Sequence, residues 1–395
     1  MVEDMPNAER RPEPFTTQTD PAALADLRAR LRATRWPDAP EDAGWALGTD
    51  LDCLRDLVGY WADEFDWPAA EAALNRLPRF RAQVGGLGIH FVHARAVAPT
   101  GPVLPLVLSH GWPDSFWRYS KVIPLLTDPG AHGGDPADAF DVIVPDLPGF
   151  GYSDIPTGPA LNSIEVAGLW AELMGGLGYA RFGAAGGDIG SHVSRYLALD
   201  HPDKVVAVHR TDAGLAVFDG DLADLAPEER DWLQGGAAWG AAEGAYAAMH
   251  RTKPQTAAFG LTDSPAGLAA WIVEKLRAWS DCDGDLESVF SRDEILTNLT
   301  IYWFTGTIGS SMRMYNANAA IPPAQLARRV AVPSGFAIFP GDLVRPPLAW
   351  LERTANVVRA TEPAHGGHFA AFEQPELYAH ELREFFRPYR ASTRA

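Results

Sequence analysis

Cysteine is scarce in this chain of 395 residues. Only Cys53 and Cys282 occur, far apart and without CxxC spacing, which excludes a disulfide framework and offers no zinc-ligand pattern. Basic residues are also few: 33 Lys and Arg against 51 Asp and Glu leave a formal charge of −18. Such a surface repels phosphate backbones and anionic headgroups, so neither nucleic acid nor a membrane surface is an expected partner. No run approaches the roughly 18 uninterrupted apolar residues of a membrane-spanning helix. The N-terminal stretch MVEDMPNAERRPEPF has no apolar core of the kind a secretory signal needs. These absences lead to an expectation of a cytoplasmic protein acting on a neutral or weakly polar small molecule.

What is abundant is apolar and aromatic: 47% hydrophobic residues, with 13 Trp and 18 Phe, are enough for a large core. After an extended arm over residues 1–20, Leu24, Leu27 and Leu31 recur at helical spacing behind the cap signal Asp20-Pro21. Helices are also predicted through LDCLRDLVGYWADEF and PAAEAALNRL. FRAQV and IHFVHARA then alternate as strands around a turn at residues 85–88. From there strands and helices take turns: LPLVLSHG, a helix through FWRYSKVIPLL, DVIVPDLPGFG, a helix through IEVAGLWAELMGGLG, RFGAAGG, a helix through SHVSRYLALDHP, and KVVAVHRTD. This rhythm predicts an α/β protein with a mostly parallel sheet covered on both faces. It stops between residues 216 and 325, a Trp-, Ala- and Gly-rich helical stretch read as a lid over the sheet. It resumes with SGFAIFPGD, a helix through PLAWLERTAN, a short loop and a last helix, PELYAHELREFFRPYR. The expected division is an N-terminal extension wrapping the core (1–95), a core in two parts (96–215 and 326–395) and the lid (216–325).

Gly186-Gly187-Asp188-Ile189-Gly190 follows an apolar strand and precedes a helix. In a G-x-nucleophile-x-G turn the glycines allow the sharp bend that presents the nucleophile above a parallel sheet. Esterases place Ser there; Asp188 changes the chemistry. A carboxylate displaces a leaving group from saturated carbon and becomes an ester that water must then open. The plainer reading is a helix cap, a common role for Asp. His368, before the last helix, can supply the base that activates water. Asp342, ending the late strand in FPGD, can orient it. The order Asp188, Asp342, His368 is that of the α/β-hydrolase fold. Asp212, also at a strand end, is a second candidate acid, and His365 a neighbouring histidine. His110-Gly111-Trp112-Pro113 follows the strand LPLVLS, where the backbone N–H of Trp112, with that of Ile189, would form an oxyanion hole.

HGWPDSFWRY, PDLPGFGYSD, GGDIG, IYWFTGTIGSSMRMY, FPGD and GGHFAAFEQPE, in this order, resemble the microsomal-type epoxide hydrolases. RWPDA, WALGTD, YWADEFDW and LNRLPRF look like that family's N-terminal domain, so the resemblance spans about residues 14–388. It implies Asp188 as nucleophile, His368 as base and Asp342 as acid, where members often carry Glu. It also implies two lid tyrosines that donate to the oxirane oxygen; by motif these are Tyr246 and Tyr315, with Tyr302 a nearby competitor that packs in the lid. The implied substrates are a small-molecule epoxide and water, the product a vicinal diol, and neither cofactor nor metal is called for. A dehalogenase commonly has Trp after its nucleophile, where Ile189 stands here. A noncatalytic relative would have lost the base or the nucleophile. The aromatic residues of 216–325 are compatible with an aryl or bulky substrate and equally with ordinary packing.

Overall fold

The computed structural model describes residues 12–214, 216–343 and 345–393. Residues 1–11, over which most of the extended arm and the N-terminal signal reading fall, lie outside the described residues.

Nine strands form one sheet in the order β1-β2-β3-β5-β4-β6-β7-β8-β9. They are β1 (Glu13–Pro14), β2 (Arg79–Val84), β3 (Leu87–Ala94), β4 (Leu104–Ser109), β5 (Phe140–Pro145), β6 (Phe182–Gly186), β7 (Val205–Arg210), β8 (Val330–Ala337) and β9 (Ala355–Thr361). Every neighbouring pair from β5 to β9 is parallel. β3 runs antiparallel to β5, and β1 to β3 form an antiparallel edge. Strands β4 to β7 are buried at every position. A strand covered on both faces has no solvent side to make polar, which explains their nearly unbroken apolar runs.

The helices are α1 (Pro21–Arg32), α2 (Leu51–Asp63) and α3 (Trp67–Arg76) before the sheet proper; α4 (Val122–Thr127), α5 (Ser163–Gly176) and α6 (Ile189–Asp200) between its strands; α7 (Pro227–Ala242), α8 (Ala245–Thr252), α9 (Pro254–Asp263), α10 (Pro265–Trp279), α11 (Arg292–Thr305), α12 (Ile308–Ala319) and α13 (Pro323–Leu326) between β7 and β8; and α14 (Leu348–Thr354), α15 (Ala370–Glu373) and α16 (Pro375–Phe386) at the end. No strand interrupts α7 to α13 among the described residues. None of the described helices is long and apolar enough to cross a membrane.

Three local expectations are corrected. The hairpin turns on Gly85 and Gly86 alone, with φ of 55° and 81°; Leu87 and Gly88 already pair in β3. Two consecutive positive φ values are what a two-residue hairpin loop requires. The helix expected through FWRYSKVIPLL is divided into a 3-10 turn, Phe116–Tyr119, and α4. Pro124 has no N–H to continue a hydrogen-bond ladder, so it fits only the first turn of a helix that starts afresh. The helix through PLAWLERTAN stops at Thr354, and the expected loop begins with β9. β9 is the sheet edge with only Ala355 fully buried, so its apolar signal is weak.

The N-terminal helices are tied to the helical insertion as well as to the sheet. Trp61 Nε1 on α2 donates to Thr300 Oγ1 on α11 at 3.0 Å, in a buried contact. Thr49 Oγ1 donates to the Ala270 carbonyl on α10 at 2.7 Å, and Tyr60 donates to Asp293 at 2.9 Å. Arg30 on α1 pairs with Asp263 at 3.0 Å. On the other side, Arg353 on α14 pairs with Glu229 on α7 at 2.5 Å.

Candidate active site

The carboxyl ends of β4, β6, β7, β8 and β9 lead into the loops that carry Trp112, Asp188, Asp212, Asp342 and His368. Open parallel sheets gather their chemistry at this edge because successive strand ends deliver loops to one place. Asp188 has φ 56° and ψ −131°, a conformation L-residues rarely hold. The bend needs close approach: a Cβ on Gly190 would lie 1.9 Å from the Ser109 carbonyl oxygen, and one on Gly111 would lie 2.2 Å from Asp188 Oδ1. Asp188 stands at the N-cap of α6, yet its side chain makes no capping hydrogen bond. The helix-cap reading of this residue is thereby set aside.

The Asp188 carboxylate is divided between two environments. Oδ1 accepts the backbone N–H of Trp112 at 2.8 Å, and the N–H of Ile189 also donates to the carboxylate. Oδ2 faces His368 Nε2 at 3.4 Å. The other ring nitrogen, Nδ1, bonds Asp342 Oδ1 at 2.8 Å. Asp212, the second candidate acid, does not bond the imidazole among these contacts. Its Oδ2 accepts the Asp188 N–H at 2.8 Å and its Oδ1 the Gly214 N–H at 2.6 Å. The His365 side chain is 73% exposed and 4.0 Å from Asp281, away from the group.

Burial opposes charge on both members of the Asp188–His368 pair, and their interactions outweigh it. Hydrogen bonds from His368, Trp112 and Ile189 hold the Asp188 carboxyl well below the usual range. Asp342 and Asp188 raise the His368 imidazolium to about 10. At neutral pH the pair is therefore an ion pair.

Over this pair lie Trp112 and the insertion. Tyr246 on α8 stacks on Trp112 at 5.4 Å and 13° between planes. Tyr315 on α12 meets Trp112 edge-on at 6.0 Å and Tyr246 at 6.0 Å. Burial, and after it the Asp188 charge, raises the Tyr246 phenol; burial, Tyr246 and Asp188 raise that of Tyr315. Both hydroxyls keep their protons at neutral pH and can donate. Tyr302, by contrast, spends its hydroxyl on the Asp114 carbonyl at 2.9 Å.

Sequence reasoning missed the groups that hold the histidine loop. Buried Arg118 donates to the Asp114 carboxylate and to the His368 carbonyl, and the His368 N–H donates to the Trp279 carbonyl at 2.8 Å. The Glu373 carboxylate accepts the N–H groups of Gly367 (3.0 Å), Phe369 (2.8 Å) and Asp281 (2.8 Å). Burial pushes Glu373 up to about 7 against those three donors. The i, i+4 pair Asp114/Arg118 was the available signal. Among the described residues no group of three or more His, Cys, Asp or Glu is arranged to hold a metal ion.

Comparison with known proteins agrees with this geometry. Residues 12–119 match the family model described as "Epoxide hydrolase N terminus", and residues 105–252 the one described as "alpha/beta hydrolase fold". A provisionally named epoxide hydrolase of Stigmatella aurantiaca is 46% identical over 381 residues, 96% of this chain and 85% of that protein. The chain belongs to the epoxide hydrolase family. Epoxide hydrolase 1 of Sus scrofa is 36% identical over 94% of this chain and 88% of its own. The crystal structure of juvenile hormone epoxide hydrolase from the silkworm Bombyx mori superposes with a TM-score of 0.87 at 29% identity, covering 97% of this chain and 95% of that one. Family membership makes this an epoxide hydrolase enzyme of the α/β-hydrolase fold, with an epoxide and water as substrates.

Proposed function

We propose that the enzyme opens an oxirane through an ester on Asp188. The observation that carries this reading is the asymmetry of that carboxylate: Oδ1 is held by the Trp112 N–H at 2.8 Å, with the Ile189 N–H also against the carboxylate, while Oδ2 is the oxygen turned to the imidazole. Oδ2 attacks an oxirane carbon, the C–O bond breaks, and Tyr246 or Tyr315 gives its proton to the departing oxygen. Oδ1 becomes the ester carbonyl and stays in its cradle. Esterification removes the Asp188 charge, one of the two carboxylates that keep His368 protonated. The imidazolium proton then returns to the tyrosinate through the site, leaving a neutral base. His368, oriented by Asp342, takes a proton from water, and the hydroxide adds to Cγ of the ester. The oxyanion develops on Oδ1 opposite the N–H groups of Trp112 and Ile189. Collapse expels the diol as its alkoxide, which takes the proton from the His368 imidazolium to give the vicinal diol; the carboxylic acid left at Asp188 then passes its proton to the neutral imidazole, restoring the ion pair.

Trp112, Trp279, Tyr246, Tyr315 and His250 form a contiguous ring cluster at the site, which favours an aryl or otherwise bulky apolar epoxide. In this reading residues 216–325 act as the lid, residues 1–95 brace it, residues 96–215 and 326–395 are the two parts of the core, and the protein works in the cytoplasm without nucleic-acid or membrane partners, as its charge suggests.

The test is one turnover of styrene oxide in heavy-oxygen water, with enzyme in excess. Label is expected in the Asp188 carboxylate and absent from the diol. The variant His368→Gln is expected to accumulate protein carrying the mass of one substrate and to lose turnover by about two to four orders of magnitude. Direct label in the diol during that first turnover would overturn the ester route.

A further inference from the structure

The acid that sequence reading offered as an alternative partner for the histidine has a different place, and it calls for an explanation. Asp212 leaves the end of β7 and reaches beneath the nucleophile turn, where Oδ2 accepts the N–H of Asp188 at 2.8 Å. Its own loop is fastened by Gly214 N–H on Oδ1 at 2.6 Å and by Ser191 Oγ on its carbonyl at 3.3 Å. A left-handed residue such as Asp188 persists only where its surroundings over-determine it, and this bond is one of those determinants. A neutral acceptor would also satisfy an N–H, if less strongly, without the cost of placing a second charge here. The chain instead sets a carboxylate against the backbone of another acidic residue, near enough for the Asp188 charge to raise Asp212.

We propose that Asp212 is a positioning residue for the nucleophile, holding the Asp188 backbone in its strained turn while loading the attacking carboxylate with a neighbouring like charge that esterification relieves. This rests on the reading of Asp188 as nucleophile. Repulsion raises the energy of the resting carboxylate; the ester is neutral, so the barrier to attack falls by the part of the repulsion already lost in the transition state. The groups facing Asp212 are Asp342 from the loop after β8, Asp188 and Ser191 at the start of α6, Arg210 on β7 and Tyr378 on α16. Burial, Asp342 and Asp188 together raise its carboxyl to about 6, against Ser191 and Arg210. The sign follows. Above that pH Asp212 is charged and loads the nucleophile; below it the load is gone, while Asp188, held low by its own partners, remains ionised.

The experiment measures ester formation alone. With His368 intact, so that its hydrogen bond and charge keep Asp188 ionised across the range, rapid-quench intact-protein mass follows alkylation in a single turnover of styrene oxide between pH 5 and pH 8, with and without Asp212→Asn. With Asp212 present, the alkylation rate should rise through a limb centred near pH 6. Adding Asp212→Asn should remove that limb and slow alkylation at pH 8 by about tenfold or more, the loss expected when a neighbouring unit charge is removed. A uniform loss at every pH with the limb intact would mean a structural role only and overturn the charge loading. So would a flat profile with Asp212 present, a result that needs no folded Asp212 variant. If no ester forms at any pH in either protein, the nucleophile assignment itself fails, and the two failures are told apart.

Discussion

Asp188 and His368 meet across 3.4 Å as opposite charges, and the contact on which the proposed chemistry rests also bears on stability. His368 is raised from an ordinary value near 6.5 to about 10, so its interactions stabilise the fold fully below about pH 6.5 and are lost as pH rises through about 10. His368→Gln should therefore lower the unfolding temperature relative to wild type most at pH 6, with the difference shrinking toward pH 10; calorimetry at both pH values checks the sign. The tyrosines separate by kinetics. Tyr246→Phe and Tyr315→Phe should each slow alkylation by about tenfold or more, and the double variant should lose it, because no donor then remains for the oxirane oxygen. Ester hydrolysis, followed after alkylation, should change much less. At this scale the sequence was informative: the motif order singled out Asp188, Asp342 and His368, which the fold brings within contact. Spacing alone could not separate Asp342 from Asp212, because both end parallel strands and only their directions differ.

Loops and turns carry the precision of the site. The segment around His368 is held by Trp279, Arg118 and Glu373, groups drawn from three different parts of the chain. Arg118→Met should cost about 3–5 kcal/mol, since it leaves the Asp114 carboxylate buried without its cation. Urea titration measures that loss, and ester hydrolysis should suffer more than alkylation, because the loop that moves carries the base. The contacts of Arg118 and Trp279 with His368 were not legible in advance, the first joining residues 250 positions apart; Glu373 bonds Phe369 from only four positions away, but nothing local shows that its carboxylate turns back onto the loop. The same limit explains β9. Central strands announce themselves by unbroken apolar runs, whereas an edge strand with one fully buried residue looks like the loop it was taken for. The cap of α1 was easier, because its chemistry is local: Asp20 accepts the N–H of Ala22, two residues on.

In the whole molecule, the first helices and the insertion behave as one construction. Trp61→Phe deletes the donor to Thr300 and leaves that hydroxyl buried without it, an expected cost of about 1–3 kcal/mol. Hydrogen exchange should show the resulting loosening in α11 as well as in α2, and loosening confined to α2 would contradict the coupling. The alternation of strands and helices was enough to foresee a parallel sheet with a helical excursion. It carried no trace of which surface the opening helices would choose, because a helix shows its apolar stripe but not its partner.

Consider finally what those anchorages mean for traffic. Helix α9 is tied to α1, α10 to the turn before α2 and α11 to α2, while α7 is gripped by α14. If the insertion is the lid of the proposed function, a roof fastened at both eaves swings only by breaking these ties. Admission of reactant and release of diol then depend on side chains that touch no reacting atom.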